Sequence, residues 1–154
     1  MENREELQGV TEQQEKGKRP QLLAVLLVFS MVNGVLSAVS NIFLYGVLDM
    51  VREMFAGQDQ MNFMGMEIDM TLFLNTDKNF FLYQGLLYAV SFTGALMMWK
   101  FKKIGFHLYT LSQILLLILV TVYLPGLPFP YLDVMITAFF VYVYAKNLPL
   151  MQDW

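Results

Sequence analysis

Leu22–Leu48 reads LLAVLLVFSMVNGVLSAVSNIFLYGVL, and the interpretation of this stretch decides the fold. It carries no charged residue. As a helix it is ~40 Å long at ~1.5 Å per residue, against a hydrocarbon core of ~30 Å, so it crosses a bilayer with tilt or emerges on the far side. Its first third is plain hydrocarbon filler. Small and polar residues then arrive in two rows of helical spacing, Ser30, Gly34, Ala38 and Asn33, Ser37, Asn41. Residues four apart stack on one face, so the two rows form a single stripe. Lipid is a poor neighbour for such a stripe, which marks a helix-packing seam at Ser30, Gly34, Ser37, Ala38 and Asn41.

Further apolar blocks follow at Phe80–Trp99, Ile104–Tyr123 and Tyr131–Leu148. The 154 residues have room for one domain, and 56% hydrophobic with 15% charged residues is too apolar for an ordinary soluble domain. Mean hydropathy is +0.48. The net charge of −3 is too small to define a partner, and no basic run with interleaved aromatics suggests nucleic acid. Cysteine is absent, which excludes disulfides, thiol catalysis and cysteine metal sites.

The blocks give an all-α membrane protein, a four-transmembrane-helix up-down bundle over residues 20–148, with spans at about 22–48, 80–99, 104–123 and 131–148. Residues 1–19, polar and without apolar period, read as a disordered cytoplasmic tail, and 149–154 as a short C-terminal tail. Short connections after the second and third spans make those neighbours antiparallel. Lys16, Lys18, Arg19, Lys100, Lys102, Lys103 and Lys146 fall on one side and only Arg52 and Lys78 on the other. The positive-inside rule therefore places both termini in the cytoplasm.

The outer loop, 49–79, is acidic and Met-rich. From Met64 to Leu74 apolar residues alternate with Gly65, Glu67, Asp69 and Thr71, the period of a strand. Phe63, Met66, Met70, Phe73 and Leu74 also fit one helical face, and a lone strand lacks a partner. The preferred expectation is a short amphipathic element in the membrane interface. Asn75, Thr76 and Asp77 supply N-capping oxygens for the second span.

Asn33, Ser91 and Gln113 reach comparable depths near the bilayer middle and form a candidate polar layer. Its two meanings are interhelical glue, at ~0.6 kcal/mol per bond, and a site for a small ligand. Met61, Met64, Met66 and Met70 offer thioether sulfurs that suit Cu(I), making a copper-binding loop the remote alternative. Against it stand the missing Cys, the missing loop His, and the use of Met as soft apolar filler. His107 is the single histidine; beside Lys102 and Lys103 it reads as an interfacial residue rather than a haem ligand. No nucleophile–base pair, phosphate loop or metal spacing points to an enzyme, and no cofactor is expected.

Lys18-Arg19-Pro20 before the first span, Asn33-Gly34 within it, and Gly105, Tyr109 and Gln113 in the third carry a resemblance. Over residues 18–148 the chain resembles uncharacterised small four-span inner-membrane proteins of Bacteroidetes-type bacteria. The resemblance implies a multi-pass protein of the bacterial cytoplasmic membrane and brings no activity with it. The expected role is that of a small accessory, scaffold or interaction subunit whose partners are the lipid bilayer and another protein or a second copy. The alternative is a small transporter or ligand-binding membrane protein built on the polar layer. A reporter fused at Asp59 is expected to signal from outside the cytoplasm and one at the C-terminus from inside it; a cytoplasmic signal from Asp59 overturns the orientation.

Overall fold

The computed structural model describes residues 20–55, 60–63, 66–69, 75–125 and 129–151; residues 1–19 and 152–154, expected to be tails, lie outside it. Four α-helices carry the fold: α1 (Gln21–Met54), α2 (Lys78–Trp99), α3 (Ile104–Tyr123) and α4 (Tyr131–Lys146), the last followed by a 3-10 turn at Leu148–Leu150. α1, α2 and α3 are long and apolar enough to cross a membrane. α4, at 16 residues, is ~24 Å long and by itself falls short of the ~30 Å core.

α1 runs six residues further than the expected span, to Met54, because Asp49–Met54 continues the helix with Arg52 in its last turn. Beyond it, β1 (Gln60–Phe63) pairs antiparallel with β2 (Met66–Asp69), Gln60 opposite Asp69 and Phe63 opposite Met66. Of the two periods that the sequence offers in this loop, the strand is the one realised over Met66–Asp69. The alternation of Met66–Asp69 is that of a strand, and its partner is the segment just before it. Met64, Met70 and residues 71–74 lie outside the described residues.

Neighbouring helices alternate in direction. Gly34 of α1 packs on Phe92 of α2, and Gly85 of α2 on Ala38 and Ile42 of α1. A Cβ on Gly94 of α2 would come within 2.7 Å of the Tyr109 nitrogen; one on Gly105 of α3 would come within 2.5 Å of the Gly94 carbonyl oxygen. The backbones of α2 and α3 therefore touch where both lack side chains, the membrane form of small-residue packing. α2 is clamped on one face by α1 and on another by α3.

The ends of the helices follow local chemistry. Pro20 and Pro130 precede α1 and α4, and each gives its carbonyl to the first turn, to Ala24 N and Val134 N at 3.0 Å. Asp77 caps α2, its carboxylate accepting from Asn79 N at 2.9 Å. At the other end Lys102 N donates to the Met97 carbonyl and Phe101 N to that of Met98, at 2.9 and 3.0 Å. That is the Schellman pattern, with Phe101 at φ 58° in the left-handed position usually given to Gly. The half-buried Phe101 ring packs against the core, which offsets the backbone strain of a bulky residue there.

Two apolar clusters close the bundle. One joins Leu23, Leu27, Ala95, Met98, Tyr109, Tyr144 and Met151, the other Leu48, Phe80 and Phe81. Beside the second, Lys78 Nζ donates to Asp49 Oδ2 at 2.9 Å and Arg52 Nη2 to the Thr76 carbonyl at 2.6 Å. The hydrogen bond and charge of Lys78 hold the Asp49 carboxyl below its ordinary range, and Asp49 raises Lys78 in return. The pair stays ionised through neutral pH; it is lost as pH falls through the depressed Asp49 value or rises through the raised Lys78 value.

Gly105→Ala is expected to lower unfolding free energy in mixed micelles by ~1–3 kcal/mol, because two backbones must separate. Gly46→Ala, where nothing lies within 4 Å of the added carbon, should stay within about 0.5 kcal/mol of the parent. Circular dichroism of the two variants measures both.

Candidate functional site

Each helix brings a polar pair spaced one turn apart to the same region: Asn33 and Ser37 on α1, Gln84 and Tyr88 on α2, Tyr109 and Gln113 on α3, Asp133 and Thr137 on α4. Residues at i and i+4 share a helical face, so each pair presents two polar groups in the same direction. Ser37 is the one drawn away, into the α1–α2 interface beside the Tyr88 hydroxyl.

α4 is the loosest member of the bundle. It meets α1 at Phe29–Phe140, with ring centroids 6.0 Å apart, and at Ser30–Tyr144. Towards Pro130, cavities separate the two helices. The larger, of about 170 Å³, is lined by polar groups of Asn33, Gln84, Tyr88, Gln113, Asp133 and Thr137. A second, of about 80 Å³, shares Asn33, Gln113, Ile136 and Thr137 with the first and reaches down to Ser30 and Tyr109.

The floor is a cluster of three hydroxyls. Ser30 Oγ shares hydrogen bonds with Tyr144 Oη at 2.8 Å and Tyr109 Oη at 3.2 Å. The two tyrosine rings meet edge to face, centroids 5.2 Å apart. All three residues are buried, so each hydroxyl needs the partner it has. Below them lies the apolar cluster of Leu23, Leu27 and Met151.

The expected polar layer divides. Gln113 Nε2 donates to Ser91 Oγ at 2.8 Å, tying α3 to α2. Asn33 is exposed at the cavity wall and has no side-chain hydrogen bond among the described residues. The expected seam divides as well. Ser30, Gly34 and Ala38 are buried, whereas Asn41 turns its amide back to the Ser37 carbonyl at 2.8 Å. Gln84, Tyr88, Thr137 and Tyr144 were not singled out by the sequence, and Tyr109 entered only among the residues that carry the resemblance. Their signal is the i, i+4 polar pair, which recurs in each apolar block.

Met61 and Met66 sit on the paired strands, opposite Ile68 and Phe63, while Met64 and Met70 lie outside the described residues. Among the described residues no group of three His, Asp or Glu is placed to hold a metal ion. His107 is exposed, edge to face with Phe106 at 5.6 Å. Comparison with protein-family models, curated proteins and solved structures finds no match to this chain.

A double-mutant cycle of Ser91→Ala and Gln113→Leu is expected to give a coupling energy near ~0.6 kcal/mol, the average for an interhelical bond in a membrane. A coupling indistinguishable from zero shows that the Gln113 amide is not engaged with Ser91.

Proposed function

We propose that the chain is a four-span integral membrane protein of a bacterial cell membrane, with both ends on the cytoplasmic side, acting as a small accessory subunit through contact with another protein. Alternating helix directions and the Lys distribution support the four-span reading: α4 runs beside α3 from the level of Tyr109 to that of Val120. It works by contact rather than catalysis, and nucleic acid is not among its partners.

The observation that carries the contact reading is the projecting end of α1. Asp49–Met54 continues past the apolar span and is braced by Lys78 and by the bond from Arg52 to Thr76. On this rigid turn Met50 and Met54 stand one turn apart and are 65% and 68% exposed. Lipid covers the apolar faces lower on α1, but these two thioethers lie among Asp49, Arg52 and Glu53, beyond it. Exposed Met pairs make adaptable docking surfaces.

The Asn33 cavity supports a second reading, a membrane protein that binds a small polar ligand.

Replacing Met50→Ser and Met54→Ser together is expected to release a co-purifying partner or second copy in mild detergent while leaving stability within about 0.5 kcal/mol. Mass spectrometry of the eluate reads the result. A parent protein that elutes as a lone monomer rejects the contact reading.

A further inference from the structure

We propose that the two cavities between α4 and the other helices are one water-filled vestibule that opens at the Asp133 end, stops at the Ser30–Tyr109–Tyr144 cluster and admits small organic ammonium ions. The proposal rests on the second reading above and gives its ligand a chemical class.

Continuity comes from the shared walls. Asn33, Gln113, Ile136 and Thr137 line both cavities, so the two adjoin at these four side chains. Water is the expected filling, because the volumes hold several molecules and the walls give each of them polar partners. Asn33 needs such a partner, having none among the described residues.

The sign of the ligand follows from the lining. Among the described residues Asp133 is the single carboxylate on the walls, and no Lys, Arg or His lines either cavity. Beneath it Asn33, Gln84 and Thr137 carry side-chain oxygens that can accept from an ammonium group. Tyr88 also lines the larger cavity, and an aromatic side chain is a surface that organic cations favour. A carboxylate at the mouth of a low-dielectric cleft raises the local concentration of cations and lowers that of anions. Asn33, Gln84 and Thr137 can donate as well as accept, so the preference for cations rests on the Asp133 carboxylate.

The closed end is as definite as the open one. Ser30, Tyr109 and Tyr144 use their hydroxyls on one another, and the apolar cluster behind them leaves no polar continuation. The vestibule is therefore accessible from one side of the membrane.

The chain has no cysteine, so single-cysteine variants need no background substitutions. Asn33→Cys and Thr137→Cys would be placed in lipid vesicles beside three controls: Val32→Cys on the lipid-facing surface, and Phe129→Cys and Lys100→Cys marking the two ends. Each is treated, from each side separately, with a trimethylammonium methanethiosulfonate and with its sulfonate counterpart. Asn33→Cys and Thr137→Cys should react from the Phe129 side only and faster than Val32→Cys. The cationic reagent should lead the anionic one by at least ~10-fold, the low end of focusing by a charged cleft. Added tetramethylammonium should slow the reaction, and Asp133→Asn should bring the two reagents close to parity. If both cavity positions are as unreactive as Val32→Cys, or react from the Lys100 side, there is no such vestibule and the second reading falls with it. If they react from the Phe129 side but equally with both reagents, the cavity stands and its ammonium selectivity is overturned. Agreement between the two cavity positions guards against misfolding of either variant.

Discussion

Helix α2 is held on two faces by positions that have no side chain. Gly85 lets it lie against Ala38 and Ile42 of α1, and Gly94 lets it touch α3 at Gly105 and Tyr109. Between membrane helices there is little hydrophobic drive, since lipid tails are as apolar as leucine, and close van der Waals approach takes its place. The α1–α2–α3 unit depends on those contacts. It sets the spacing at which Gln113 reaches Ser91 and at which Ser30 meets Tyr109. α4 has no comparable glycine contact and leans on the unit through rings and one hydroxyl cluster. The cavities lie on its side for that reason.

Much of the helical architecture was legible in the sequence, because uninterrupted apolar blocks separated by Pro, Gly and Lys leave few alternatives. α3 occupies the expected residues, and α2 begins at the capping carboxylate that the Asn75-Thr76-Asp77 run offered. The projection of α1 to Met54 was not legible. It depends on Lys78 and Arg52 bonding across the connection, a tertiary fact. The hairpin was half legible: alternation pointed to the strand at Met66–Asp69, but a four-residue partner, Gln60–Phe63, carries too little pattern to stand out.

The candidate site shows the same division. Depth along each helix places Asn33, Ser91 and Gln113 near one level, but depth says nothing about rotation around the helix axis. Ser91 faces α3 and takes the Gln113 amide, whereas Asn33 faces the cleft. The turn at Phe101 hides its nature in a related way. A Schellman cap is normally signalled by Gly, and here an aromatic ring holds the left-handed position because its packing against the core outweighs the strain.

Met151 shares one apolar cluster with Leu23 and Leu27, at the start of the first helix. α1 is synthesised well before the methionine that covers its Leu23 and Leu27. Leu23, Leu27 and the Ser30 hydroxyl stay uncovered on that side until α4 and the turn after it arrive. The early segments can pair through their glycines as soon as α2 emerges. Closure of the bundle at this end therefore depends on the last helix and the turn after it.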